Sequence, residues 1–288
     1  MARLIHDLTD GTKPIGGDDL LEHFDPISLA ELNAKAAMLE RLDNKYVVKA
    51  PVLGVAAAEL ARHFDILEIG ERRAFGYETW YFDDRERRSY FDHHQGRRRR
   101  VKVRVRRYRD AKLCFVEVKL KDKRGITIKK RMPYPLANYG FLDEAALAHV
   151  ERCCREVYGE PFGRELAPVL EVYYERMTLV AKQGGERMTI DNALRFSSHD
   201  ESYAVDPELY IVETKSPNGN GLADKIFRSL KQHPTKHCSK YCVGTAATGG
   251  VGKYNTFLPA LRRLAVQGGG IIVPRDWEPG YTMATEAR

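Results

Sequence analysis

The chain has 288 residues, 43% hydrophobic and 30% charged, a globular composition that excludes a disordered or fibrous protein. No apolar run nears the roughly 20 residues that span a bilayer, and the opening Met1–Asp7 is no secretory leader. The net charge of +7 hides an asymmetry: residues 85–131 hold 20 Lys and Arg against 5 Asp and Glu, so the remainder is acidic. A basic middle in an acidic frame points to a localised polyanion site.

In chain order, Gly11, Pro14, Gly16 and Gly17 predict no firm element over residues 1–20. Residues 18–40 read as helical through Leu20, Leu21 and Phe24, with Ser28 and Glu31 spaced as a capping box. A short strand is predicted over 41–49, a helix opened by Pro51, a strand over 77–82 and a polar turn or short helix over 83–92. Three strands follow at 100–108, 113–121 and 127–131, then an amphipathic helix over 139–158. Residues 169–182 and 187–196 read as a hairpin around Gly184 and Gly185, and 209–215 as a further strand. Helices at 222–232 and 254–266 complete the series, and the tail beyond Gly268 is expected to drape over the surface. The expected organisation is an N-terminal segment with a helix (1–38), one main domain (39–267) and a C-terminal tail (268–288).

Residues two apart on a strand share a face. Arg100, Lys102, Arg104, Arg106 and Tyr108 therefore oppose Val101, Val103 and Val105, and Phe115, Glu117, Lys119 and Lys121 oppose Val116, Val118 and Leu120. Lys129 and Arg131 oppose Ile128; Arg187, Thr189 and Asp191 oppose Met188 and Ile190; Glu213 and Lys215 oppose Val212. A solvated face of an antiparallel sheet is the ordinary explanation. Such faces mix signs, however, and these are mostly cationic. Like charges about 6.7 Å apart cost on the order of 2 kcal/mol per pair at an effective dielectric near 20. The pattern is stable when the cations surround bound anions, with Glu117, Glu213 and Asp43 interleaved. The expected fold is thus α+β: a closed eight-stranded antiparallel tunnel, basic inside, with helices packed on an apolar exterior. Guanidinium forks suit a string of phosphates, and interleaved carboxylates suit a hard divalent cation.

The ordered series Arg41–Tyr46, Arg104–Val–Arg106 followed by Tyr108, Phe115–Lys119, Lys129–Arg131, Tyr174–Arg176, Arg187–Asp191, Val212–Lys215 and Ser239–Tyr241 resembles the VTC domain, the catalytic domain of the vacuolar transporter chaperone complex. That domain belongs to the triphosphate tunnel metalloenzymes, and the likeness spans Leu39 to Gly244. The resemblance implies a polyphosphate polymerase that passes the γ-phosphoryl of ATP to a growing inorganic polyphosphate chain with Mn²⁺ or Mg²⁺. It implies catalytic roles for Arg104, Arg106, Lys119 and Lys240. Substrate contacts would come from Lys45, Lys102, Lys129, Arg131, Arg176, Arg187, Lys215, Ser239 and Tyr241, and metal contacts from Glu213 and Glu117. A metal-dependent triphosphatase and a non-catalytic polyphosphate or nucleotide binder are the alternatives.

Three departures qualify the likeness. Arg41 and Asp43 stand where the hydrolytic relatives carry Glu-x-Glu, which favours the polymerase branch; Thr214 replaces the usual Val; and the sensing and membrane domains of the eukaryotic proteins are not here. A separate membrane protein is then the expected recipient of product, and the oligomeric state is open. Other signals carry less. His233, His237, Cys238 and Cys242 have zinc-like spacing broken by Pro234, so packing is the default reading. Cys153 and Cys154 read as buried helix residues and His93–His94 as a solvated tip. The odd, irregular cysteines argue against a disulfide scaffold and for a reducing cytoplasm. Arg97–Arg100 reads as a tunnel-mouth guide for polyphosphate, and no helix carries the basic face of a sequence-specific nucleic-acid reader.

Overall fold

The computed structural model describes residues 17–35, 42–122, 124–199, 201–264 and 271–272. The first elements are α1 (Gly17–Glu22), β1 (Asp25–Ile27), α2 (Leu29–Lys35), β2 (Leu42–Lys49), α3 (Ala50–His63), β3 (Phe64–Leu67) and β4 (Phe75–Asp83). The middle holds α4 (Arg88–His94), β5 (Arg100–Tyr108), β6 (Leu113–Lys121), β7 (Thr127–Pro133) and α5 (Glu144–Tyr158). Then come β8 (Ala167–Ala181), β9 (Arg187–Ser197), β10 (Ser202–Ala204), β11 (Leu209–Ser216), α6 (Leu222–Ser229), α7 (Lys240–Ala247), α8 (Leu258–Arg263) and β12 (Ile271–Ile272). No helix of the described residues is long and apolar enough to cross a membrane.

Local chemistry explains most of these boundaries. Asp143 caps α5 by accepting the Ala146 N–H at 2.8 Å. Ser28 and Glu31 form the expected capping box: the Ser28 hydroxyl and N–H both donate to the Glu31 carboxylate, and the Glu31 N–H donates back to the hydroxyl. Between β8 and β9, Gly184 and Gly185 both take positive φ, as a tight hairpin turn demands.

Eight strands run antiparallel in the order β7-β6-β5-β4-β8-β9-β11-β2. β3 pairs the far end of β8, β1 joins β3 in parallel, and β10 and β12 extend beside β9. The α+β class and large antiparallel sheet agree with the sequence reading. Closure is the point of difference: among the described residues no ladder joins β7 to β2. Charge acts across that seam, for Lys129 of β7 and Lys119 of β6 help to lower the Asp43 carboxyl of β2 against its burial. The sheet is therefore a curled trough without backbone closure.

The outer face buries the aliphatic half of each alternation. Val103, Val105, Val116 and Val118 pack against Ala146, Val150, Cys153 and Cys154 of α5, while Tyr46, Val48, Ile190 and Val212 meet α3 and α6. Each such aliphatic side chain contributes about 1.5–3 kcal/mol. The inner face changes character along its length. At one end Val47, Leu170, Val172, Phe196 and Ile211 are apolar and receive α7 through Tyr241, Cys242 and Val243. Gly244 permits that approach, since a Cβ there would lie 2.5 Å from the Phe196 ring and 2.7 Å from Leu170.

Several expectations need correction. The single helix over 18–40 is two short helices flanking β1, because Pro26 cannot continue a helix and β1 finds an edge on β3. The helix at 254–266 is a 3₁₀ turn (Asn255–Phe257) followed by the short α8. His93–His94 is no solvated tip: α4 packs under the sheet, His94 is buried and bonded to Asn255 at 2.8 Å, and His93 stacks on Phe257. Cys153 and Cys154 are buried as expected. The tail beyond Gly268 lies outside the described residues except for β12.

Candidate functional site

Residues directly opposite on neighbouring strands share a face, so the register maps the trough interior. Arg131 faces Glu117 and Glu117 faces Arg104; Lys129 faces Lys119 and Lys119 faces Lys102. Arg104 and Arg106 face Tyr81 and Thr79 of β4, and Tyr77 leads on to Tyr174 of β8. Arg176 faces Asp191, Thr189 faces Glu213, Arg187 faces Lys215, and Glu213 and Lys215 face Lys45 and Asp43. One continuous surface thus gathers the predicted phosphate-binding residues of seven strands, with β4 adding Thr79, Tyr81 and Tyr77, and Lys240 and Ser239 join it from the start of α7.

Three charge clusters organise this surface. On β5 and β6, Arg104 donates to Glu117 through Nε at 2.6 Å and through a terminal nitrogen, and to the Tyr81 hydroxyl at 3.2 Å. Arg106, only 7% exposed, sits 3.8 Å from Glu117 and donates to Thr79 at 3.3 Å. On β8 and β9, Arg176 grips fully buried Asp191 with two parallel bonds of 2.6 and 2.7 Å, and Lys240 bonds the same carboxylate. On β2 and β11, Glu213 lies 3.2 Å from Lys45 and contacts Lys215, which also reaches Asp43 at 3.5 Å. Lys102 donates to Ser239 at 2.9 Å, so the α7 cap holds a lysine against the trough. Arg131 lies over the Phe115 ring, 5.1 Å from its centroid. Tyr241 is turned away: its hydroxyl donates to buried Asp83, and its ring lies beneath Lys102.

These surroundings reset proton affinities. Burial raises the Glu117 carboxyl, but Arg104 and Arg106 outweigh it and hold the group down to about 2. Asp191 is likewise held far below the usual carboxylate range by Arg176 and Lys240 against its burial. Burial, reinforced by Lys129, Lys102 and Lys45, pushes the Lys119 ammonium down to about 7. Lys215 falls to about 6 because burial exceeds the pull of Asp43, with Lys45, Lys129 and Arg176 repelling it further. Lys45 and Lys102 are lowered too, chiefly by burial.

Some contributors were not singled out from sequence. Tyr174 and Thr189 each place a buried hydroxyl oxygen on this surface with no hydrogen-bond partner. Thr189 stands directly opposite Glu213, so a carboxylate and a free hydroxyl are adjacent. Strand alternation had already put Thr189 and Asp191 on the cationic face; their pairing needed the register. Among the described residues, no group of three or more His, Cys, Asp or Glu gathers to hold a metal unaided.

This β surface is cationic by more than two to one and carries two buried hydroxyls, Tyr174 and Thr189, that have no hydrogen-bond partner. The chain belongs to the VTC domain family, whose profile it matches over residues 40–248. Among solved structures it is similar to a Hippeastrum candidate adenylyl cyclase described as having a dominant triphosphatase activity, at 11% identity, covering 72% of this chain and 96% of that one, TM-score 0.44. It is also similar to a candidate adenylate cyclase from Bacillus halodurans, at 12% identity over 83% and 95% of the two chains, TM-score 0.38. The PH1012 protein of Pyrococcus horikoshii is similar at 12% identity over 66% and 90%, TM-score 0.35. A comparison with curated proteins returns no match.

Proposed function

We propose that the trough is the active site of a polyphosphate polymerase. A terminal phosphate oxygen of the chain attacks the γ-phosphorus of ATP, the bond to the β-phosphate oxygen breaks, and ADP leaves. That oxygen is already anionic near neutral pH, so the protein needs no strong base; it supplies alignment and charge. Arg104 and Arg106, fixed by Glu117, stabilise the equatorial oxygens of the transferring group. Lys119 and Lys240 act beside them, and Lys45, Lys102, Lys129, Arg131, Arg176, Arg187 and Lys215 hold the flanking phosphates. Ser239 and Tyr241 serve by positioning Lys102 rather than by touching substrate.

The implied divalent cation would be held at Glu213, in exchange for the contacts that its carboxylate makes with Lys45 and Lys215. Glu213 offers a carboxylate and Thr189 a free hydroxyl on adjacent strands, and Mg²⁺-type sites routinely complete such a pair with phosphate oxygens and water. When bound there, the ion would neutralise phosphate charge. Glu117, committed to Arg104 and Arg106, orients guanidiniums instead.

The observation that carries this reading is the cross-strand register that puts Arg104, Arg106, Lys119 and Glu213 on one surface. Incubation with ATP and Mn²⁺, with products sized on a gel, tests it: long acid-labile chains are expected. Orthophosphate alone would make the protein a triphosphatase, and retention of polyphosphate without turnover would make it a binding module. Glu213→Gln should raise the Mn²⁺ concentration needed for half-maximal rate, and an unaltered Mn²⁺ dependence would remove its metal role.

A further inference from the structure

Beyond the trough, the α4–β5 connection and the β6–β7 turn enclose an open groove of about 380 Å³. Arg97, Arg98, Arg100, Lys121 and Arg124 line it together with two glycines, and among the described residues no carboxylate does. Arg97 has a counter-charge in Asp92 at 3.2 Å, whereas Arg98, Arg100, Lys121 and Arg124 make no ion pair among the described residues. The groove continues the interior. Arg100 stands opposite Lys121; one same-face step inward Lys102 stands opposite Lys119, and a further step brings Arg104 opposite Glu117. Each step is about 6.7 Å, so two successive cation pairs lead from the Arg104–Glu117 pair to the rim.

We infer that this groove is a second polyanion site, which holds the length of inorganic polyphosphate lying outside the trough. The inference rests on the proposed polymerase reading for its ligand. Four cations without counter-ions repel one another, and a flexible chain of phosphates relieves that repulsion while displacing its own counter-ions. Single-stranded nucleic acid is disfavoured, because such grooves add aromatic rings for base stacking and no aromatic side chain lines this one.

Arg98 and Arg124 are exposed, so charge reversal there leaves the fold intact. The test compares the full chain with the R98E/R124E double variant, measuring affinity for tripolyphosphate and for a long-chain polyphosphate across a salt series. Tripolyphosphate reads the trough alone. The variant should keep tripolyphosphate affinity within about twofold, lose at least about tenfold for the long chain, and show a salt slope shallower by about 1.4 for two lost contacts. Unaltered long-chain affinity overturns the groove while leaving the trough reading intact, and equal losses for both ligands overturn it as well. An oligonucleotide that displaces long-chain polyphosphate from the wild type at equal charge overturns the choice of ligand. Failure of the wild type to bind tripolyphosphate overturns the polymerase reading itself.

Discussion

The two sides of the trough hold positive charge by different means. On β5, β6, β8 and β9 the cations are mainly arginines locked to buried carboxylates, Arg104 and Arg106 to Glu117 and Arg176 to Asp191. Their charge is permanent, because a guanidinium keeps its proton throughout the working pH range and the partner carboxylates strengthen its hold on Arg104 and Arg176. On β2 and β11 the cations are lysines whose proton affinity is depressed, so their charge depends on what occupies the trough. Lys102 and Lys119 on β5 and β6 share that depression, so a mainly fixed wall faces an adjustable one. The first suits precise placement of a transferring group, and the second suits a ligand whose charge changes as it grows.

The sharpest break in that contrast comes from the fixed wall. Asp191→Ala strands Arg176 and Lys240 without their shared buried partner and should cost about 3–5 kcal/mol of stability in a denaturant titration. A loss below about 1 kcal/mol would mean the pair is not the anchor it resembles. Arg104→Ala should lower phosphoryl-transfer turnover by about 100-fold or more with little effect on ATP affinity, and a normal rate would remove its role.

The adjustable wall predicts a pH signature. Lys215 is down to about 6 in the folded chain against an ordinary 10.5, so between those values the unfolded chain binds more protons and the ligand-free protein gains stability as pH rises. A bound polyanion draws the proton back. Tripolyphosphate binding at pH 8 should therefore take up protons and weaken as pH climbs from 6, read by calorimetry in buffers of different ionisation enthalpy. Lys215→Gln should flatten that slope; an unchanged slope would reassign it to other groups. The smallest effect lies on the outer face, where the buried Thr214 hydroxyl donates to Asp224 at 2.8 Å. Thr214→Val should cost about 1 kcal/mol and leave turnover alone, since Asn44 and Tyr46 still serve that carboxylate.

Alternation made β5, β6, β7 and β9 legible, because Arg-Val-Lys-Val patterns admit one orientation once a face is buried. The same alternation assigned Arg104, Arg106, Lys119 and Glu213 to one side before any pairing was known. α7 escaped notice for a physical reason. Its Lys240–Ala247 sequence has two β-branched residues, Val243 and Thr245, and a glycine and no polar stripe, since it is buried nearly all round against Phe196, Leu170 and Tyr81. α4 was misjudged similarly: two histidines after a polar stretch look wet until Phe257 and Asn255, more than 160 residues later, close over them. The Arg176–Asp191 and Glu213–Thr189 pairings depend on which strands become neighbours, which local pattern does not encode.

Among the described residues no ladder joins β7 to β2, which bears on how the proposed polymer would enter and leave. A cylinder stitched all round by backbone hydrogen bonds must be threaded by a free end, and its product must be drawn out lengthwise. A wall that lacks such a ladder along one line can part there, so that the proposed polymer would be laid in sideways and lifted out the same way. Because Lys129 attracts Asp43 across that line, added salt should ease its parting.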